Sequence, residues 1–106
     1  MHEEIYGILP ENIKPLLYDS LQCYGLEEIR FRIGKPIALR IRGRDYFISK
    51  EGNRSELAYD CVILTKGIIE ELLSRICHFS PYAYEEQIKR GYVTLPGGHR
   101  VGIAGE

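Results

Sequence analysis

Residues Glu28 to Ile48 read EIRFRIGKPIALRIRGRDYFI, and the period of that stretch decides the fold. Ile29, Phe31 and Ile33 alternate with Arg30 and Arg32. After Gly34-Lys35-Pro36, Ile37, Leu39 and Ile41 alternate with Ala38, Arg40 and Arg42. A period of two sends successive side chains to opposite faces of a strand. A three-residue turn that pairs Ile33 with Ile37 gathers all six apolar residues on one face and leaves the other basic. Gly43 begins a second turn into Asp45-Tyr46-Phe47-Ile48, which completes a three-strand meander half-buried against something apolar.

The cover for that apolar face lies on either side of it in the chain. Downstream, Thr65 caps a helix in which Ile68, Ile69, Leu72, Leu73 and Ile76 form one stripe, with Glu70, Glu71, Ser74 and Arg75 toward water. Upstream, a polar start leads to Ile13, Leu16, Leu17 and Leu21 at helical spacing. Pro10 or Pro15 suits a first turn and Gly25 a left-handed stop, so a helix is expected over residues 15 to 24. Residues 50–60 are polar and read as a loop with an irregular edge piece, and Val62-Ile63-Leu64 as a short strand.

The chain closes on two further elements. Ser80-Pro81 starts a helix that runs to Arg90 and ends at Gly91, with Glu85-Lys89 and Glu86-Arg90 on its exposed side. Tyr82, Tyr84 and Tyr92 read as packing around it. Tyr92 to Gly105, YVTLPGGHRVGIAG, is a β-hairpin turning at Gly97-Gly98. With an odd loop, Val93, Leu95, Val101 and Ile103 share one face, while Tyr92, Thr94, Arg100 and Gly102 share the other. On that face the missing side chain of Gly102 would let a backbone or an anion approach Arg100. The order of helix, strands, two helices and hairpin gives an α+β class, an antiparallel meander plus a C-terminal hairpin covered by helices on one side.

The 106 residues form one domain, 44% hydrophobic and 27% charged with a net charge of −1, in the range of ordinary globular proteins. No run approaches a membrane span and the start lacks the pattern of a signal peptide, so a cytoplasmic place is expected. Cys23, Cys61 and Cys77 match neither a disulfide framework nor a zinc knuckle, and Cys77-His78 lacks a third ligand. A chain stopping at Glu106, straight after a strand, is expected to continue in a longer protein.

Two readings of the arginines remain open. Arg30, Arg32, Arg40, Arg42 and Arg44 form either the solvated side of an amphipathic sheet or a cationic face for phosphates or another partner. Arg30 opposite Arg40 would be a like-charge pair, relieved by an acid such as Glu28 or by an anion. With Phe31 on the core side the stacking platform of a single-strand binder is missing, so nucleic acid is not the expected partner, although a nucleic-acid-binding module is the alternative. No G-x-x-x-x-G-K-[ST] loop occurs and no Ser, His and Asp arrangement is marked, so the residues point to a non-catalytic module without a cofactor of its own.

Two long stretches carry a resemblance. SPYAYEEQIKRGYVTLPGGHRVGIAG from Ser80 and LEEIRFRIGKPIALRIRG from Leu26 closely resemble the N-terminal region of the stage III sporulation protein AA family of endospore-forming bacteria, and the similarity runs along nearly the whole chain. That resemblance implies an accessory domain, residues 1–106, ahead of a RecA-like ATPase domain that carries the phosphate loop and uses ATP and Mg. It implies an ATPase similar to those of type II and type IV secretion systems: a cytoplasmic homo-hexamer in the mother cell, peripheral at the forespore-facing membrane, energising a channel through membrane-embedded partners. It also implies that Arg100, and second to it Arg90, reaches nucleotide phosphates at its own or a neighbouring ATPase domain, where a guanidinium fork neutralises developing charge. The competing role for Arg100 is as partner of an acid inside the domain.

Overall fold

The computed structural model describes residues 3–79, 92–94 and 100–104. The chain opens with helix α1 (Glu3–Ile8), a short helix α2 (Lys14–Leu17) and a 3-10 turn (Ser20–Gln22). Strands β1 (Leu26–Arg32), β2 (Ala38–Ile41), β3 (Arg44–Ile48) and β4 (Arg54–Ser55) follow, then helix α3 (Lys66–Phe79) and strands β5 (Tyr92–Thr94) and β6 (Arg100–Ala104). All six strands join one sheet in the order β4-β3-β2-β1-β6-β5. The run from β4 to β1 is antiparallel, as expected for a meander, and β5 pairs antiparallel with β6. The hairpin joins the meander through a parallel β1–β6 ladder, so the sheet is mixed, because the segment containing α3 carries the chain back to β1.

Period two places the apolar side of the meander as expected. Ile29, Phe31, Ile37, Leu39 and Ile41 are buried and Ile33 packs against the same core. The pairing itself differs from the sequence reading by two residues. Ile29 faces Leu39 and Arg30 faces Ala38, so Ile33 and Ile37 belong to a wider loop instead of closing a three-residue turn. That loop is held by a distant segment: the Gly34 N–H donates to the Leu64 carbonyl at 2.8 Å and the Leu64 N–H to the Lys35 carbonyl at 2.9 Å. A slip of two keeps every side chain on its face, which a slip of one would not.

The helices cover this apolar side. Thr65 Oγ1 accepts the Ile68 N–H at 3.2 Å, the expected N-cap of α3. Ile69, Leu72 and Ile76 of α3 are buried, Ile68 and Leu73 pack partly against the core, and Glu70, Glu71 and Ser74 are exposed. Ile5 and Ile8 of α1 and Leu9 complete the layer with Ile13, Leu17 and Leu21. The polar start thus contains a helix that sequence reading left out, and the helix expected over residues 15–24 is instead two short pieces. The break follows Leu17, and the Cys23 N–H closes the 3-10 turn on the Ser20 carbonyl at 3.1 Å. Val62-Ile63-Leu64 is not a strand but makes one isolated bridge, Ile63 with Pro36, next to a second between Cys61 and Ser49. The 50–60 loop does supply an edge piece, β4. The expected helix after Ser80 and the Gly97-Gly98 turn lie outside the described residues. Among the described residues no helix is long and apolar enough to cross a membrane.

Gly25, between the 3-10 turn and β1, has φ +87°, and a Cβ there would lie 2.5 Å from Arg42 Cγ. Both conditions favour glycine.

Two substitutions test this packing. Leu72→Ala should lower unfolding free energy by about 3 kcal/mol in urea with an unchanged m value, whereas Glu70→Ala should change it by less than about 0.5 kcal/mol. Gly25→Ala should cost about 1–3 kcal/mol from the left-handed backbone and the displaced Arg42 stem, read in the same titration.

Candidate functional site

The side of the sheet away from the helices is polar, and β1 runs through its middle. β1 contributes Glu28, Arg30 and Arg32, β2 contributes Ala38 and Arg40, and β3 contributes Asp45 and Phe47, which are level with Arg40 and Ala38. In the parallel ladder Arg100, Gly102 and Ala104 of β6 stand level with Glu28, Arg30 and Arg32. Thr94 and Tyr92 of β5 stand beyond Arg100 and Gly102. The described pairs, Tyr92 with Gly102, Val93 with Val101 and Thr94 with Arg100, match the expected register, while Leu95 and the loop lie outside the described residues.

Charge on this face is mixed rather than uniformly basic. The Arg30 guanidinium donates from Nε to Glu28 Oε2, and that hydrogen bond, with the nearby charges of Glu28 and Asp45, holds Arg30 above the usual arginine range despite an opposing effect of burial. Arg40 lies between two acids, with Nε 3.5 Å from Glu27 Oε1 and Nη1 3.4 Å from Asp45 Oδ1. Arg40 faces Glu28 across the ladder, so the like-charge pair expected between Arg30 and Arg40 does not form. A β-bulge between Leu26 and Glu28 lets Glu27 reach this side, where its Oε2 also accepts the Gly43 N–H at 3.1 Å. Arg30 and Arg40 keep 36% and 40% of their side-chain surface exposed, so these are half-exposed pairs that fix orientation more than they stabilise.

Arg32 is different. Its Nε is buried and has no hydrogen-bond partner among the described residues. An unpaired buried donor carries a desolvation cost that an added acceptor would remove.

Of the five arginines read as one face, the sheet brings together Arg30, Arg32 and Arg40. Arg42 and Arg44 leave it. Ile41 pairs with Arg44 around a two-residue Arg42-Gly43 turn, with φ +46° and +79°, so Arg42 occupies the turn and Arg44 falls on the helix side, where it is 3.6 Å from Glu56. Arg100 is placed by register level with Glu28. Arg90 lies outside the described residues. A Cβ on Gly102 would sit 3.5 Å from Arg30 Cγ, an ordinary contact, so the glycine is not sterically required and the space beside it adjoins the Arg30 stem. Sequence reasoning missed Glu27 and Asp45. Asp45 was within reach, because a two-residue turn at Arg42-Gly43 already sets 45 opposite 40; the bulge that brings in Glu27 has no local signature.

Comparison with known proteins sets this face in context. The family model for sporulation stage III, protein AA matches residues 1–106. Stage III sporulation protein AA of Bacillus subtilis (strain 168) is 38% identical over 104 residues, covering 96% of this chain and 30% of that protein. The chain thus spans about a third of the length of the curated relative it matches. No solved structure matches it significantly. With every residue inside the family match and that identity extending over nearly its whole length, the chain belongs to the sporulation stage III protein AA family.

Proposed function

We propose that the chain is a non-catalytic interaction and regulatory module of a sporulation ATPase of the secretion type. The observation that supports this best is the register of Arg100: it stands level with Glu28 of β1, next to a face on which Arg30 of β1 and Arg40 of β2 are already matched by acids. A face with fixed ion pairs and two basic positions at neighbouring strands suits one oriented partner better than a run of phosphates. Pairing of Arg30 with Glu28, and of Arg40 with Glu27 and Asp45, withdraws the charge that a nucleic-acid module would use.

In this reading the polar face docks on the protein's own or a neighbouring ATPase domain within a homo-hexamer. Hydrolysis belongs to that domain, which holds ATP and Mg, since these 106 residues contain no G-x-x-x-x-G-K-[ST] loop. Arg100, or second to it Arg90, extends to the nucleotide phosphates and stabilises charge as the γ-phosphoryl group transfers. The ring works in the mother-cell cytoplasm at the forespore-facing membrane and energises a channel through contacts with its membrane-embedded proteins.

The test uses the full-length protein. Arg100→Ala should lower ATP turnover by about tenfold or more, while Arg44→Ala, on the helix side, leaves it within about twofold. Unchanged turnover in Arg100→Ala, together with a loss of stability shared by Glu28→Gln, would assign Arg100 to an internal ion pair and overturn its catalytic contact.

A further inference from the structure

On the helix side of the sheet, a cavity of about 340 Å³ is lined by Cys23, Ile41, Arg42, Tyr46, Asn53 and Arg54. Its size is at the lower end of small-ligand pockets. Two guanidinium-bearing residues share it, and none of the described residues lining it is a carboxylate. The strand arginines Arg30, Arg40 and Arg44 each have an acid within ion-pair distance; among the described residues Arg42 and Arg54 have none.

Both arginines are nevertheless held. Arg42 sits in the left-handed backbone of the β2–β3 turn at φ +46°, its N–H donates to the Gly25 carbonyl at 3.1 Å, and its stem lies against Gly25. A left-handed backbone is costly for a long side chain, so the turn fixes the place where Arg42 begins. Arg54 is carried by β4, and its Nη1 donates to Ser20 Oγ at 3.4 Å; Ser20 is wholly buried in the 3-10 turn. Arg42 and Arg54 are both exposed, so the cavity opens to solvent and presents two positive charges to it, with no acid of the described residues in ion-pair distance of either.

We infer that this cavity binds a phosphate dianion, free or as a monoester. Such a group carries enough charge to answer two guanidiniums and enough acceptor oxygens for both forks, with the Asn53 amide and Tyr46 hydroxyl as neutral donors. A carboxylate or a phosphodiester supplies only one charge. The site is separate from the polar face, because Ile41, Tyr46 and Arg54 belong to the side of the sheet that meets the helices.

The experiment follows backbone amide resonances at constant ionic strength while inorganic phosphate, phenyl phosphate, acetate or phosphatidylcholine vesicles with and without phosphatidic acid are added. Phosphate or phenyl phosphate should shift Arg42, Asn53 and Arg54 saturably, with acetate much weaker. Arg42→Asn, which tolerates the left-handed turn, and Arg54→Gln should each weaken binding about tenfold or more, while Arg44→Gln should not. A response to soluble phosphates supports a free ligand, and one confined to the phosphatidic acid vesicles supports a lipid phosphate. No saturable response to any phosphate, an equal response to acetate, or unchanged affinity in both cavity variants overturns the site.

Discussion

Strand β1 is hydrogen-bonded on both edges, antiparallel to β2 and parallel to β6, and the rest of the structure depends on that double pairing. Its alternate residues Ile29 and Phe31 face the helices, so its other residues, Glu28, Arg30 and Arg32, must form the centre of the opposite face. Each neighbouring strand then contributes the residues level with these. The same hydrogen bonds that close the core therefore decide which charged groups meet: Arg40 is set against Glu28, and Arg100 stands on the other side of that glutamate.

Much of this was legible because period two is a local property. The apolar face of β1 and β2, the Thr65 cap, the stripe of α3 and the β5–β6 pairing of the terminal hairpin all follow from residue spacing, and all are seen. Partner identity was less legible. The β1–β2 pairing is shifted by two because Gly34 and Lys35 bond to Leu64, some thirty residues on, and no local pattern announces that contact. α1 is likewise short and contains Gly7, so its helical form rests on burial of Ile5 and Ile8 rather than on propensity.

The charged residues show the same division. Alternation correctly put Arg30, Arg32 and Arg40 on one side, but continuing it through Arg42 and Arg44 ignored the turn between them. Once Arg42 and Gly43 take left-handed conformations, the strand restarts in the other phase and Arg44 changes side. What looked like a five-arginine stripe becomes a three-arginine face interlaced with Glu27, Glu28 and Asp45, with Arg42 left in the turn and Arg44 on the helix side. The register, not the composition, thus fixes which charges share that face.

Interstrand nuclear Overhauser contacts read the parallel β1–β6 register directly. Backbone contacts should align Ile29 with Val101 and Phe31 with Ile103. Contacts that align Ile29 with Gly102, or that run antiparallel between the two strands, would turn Arg100 to the other face or away from Glu28 and contradict that register.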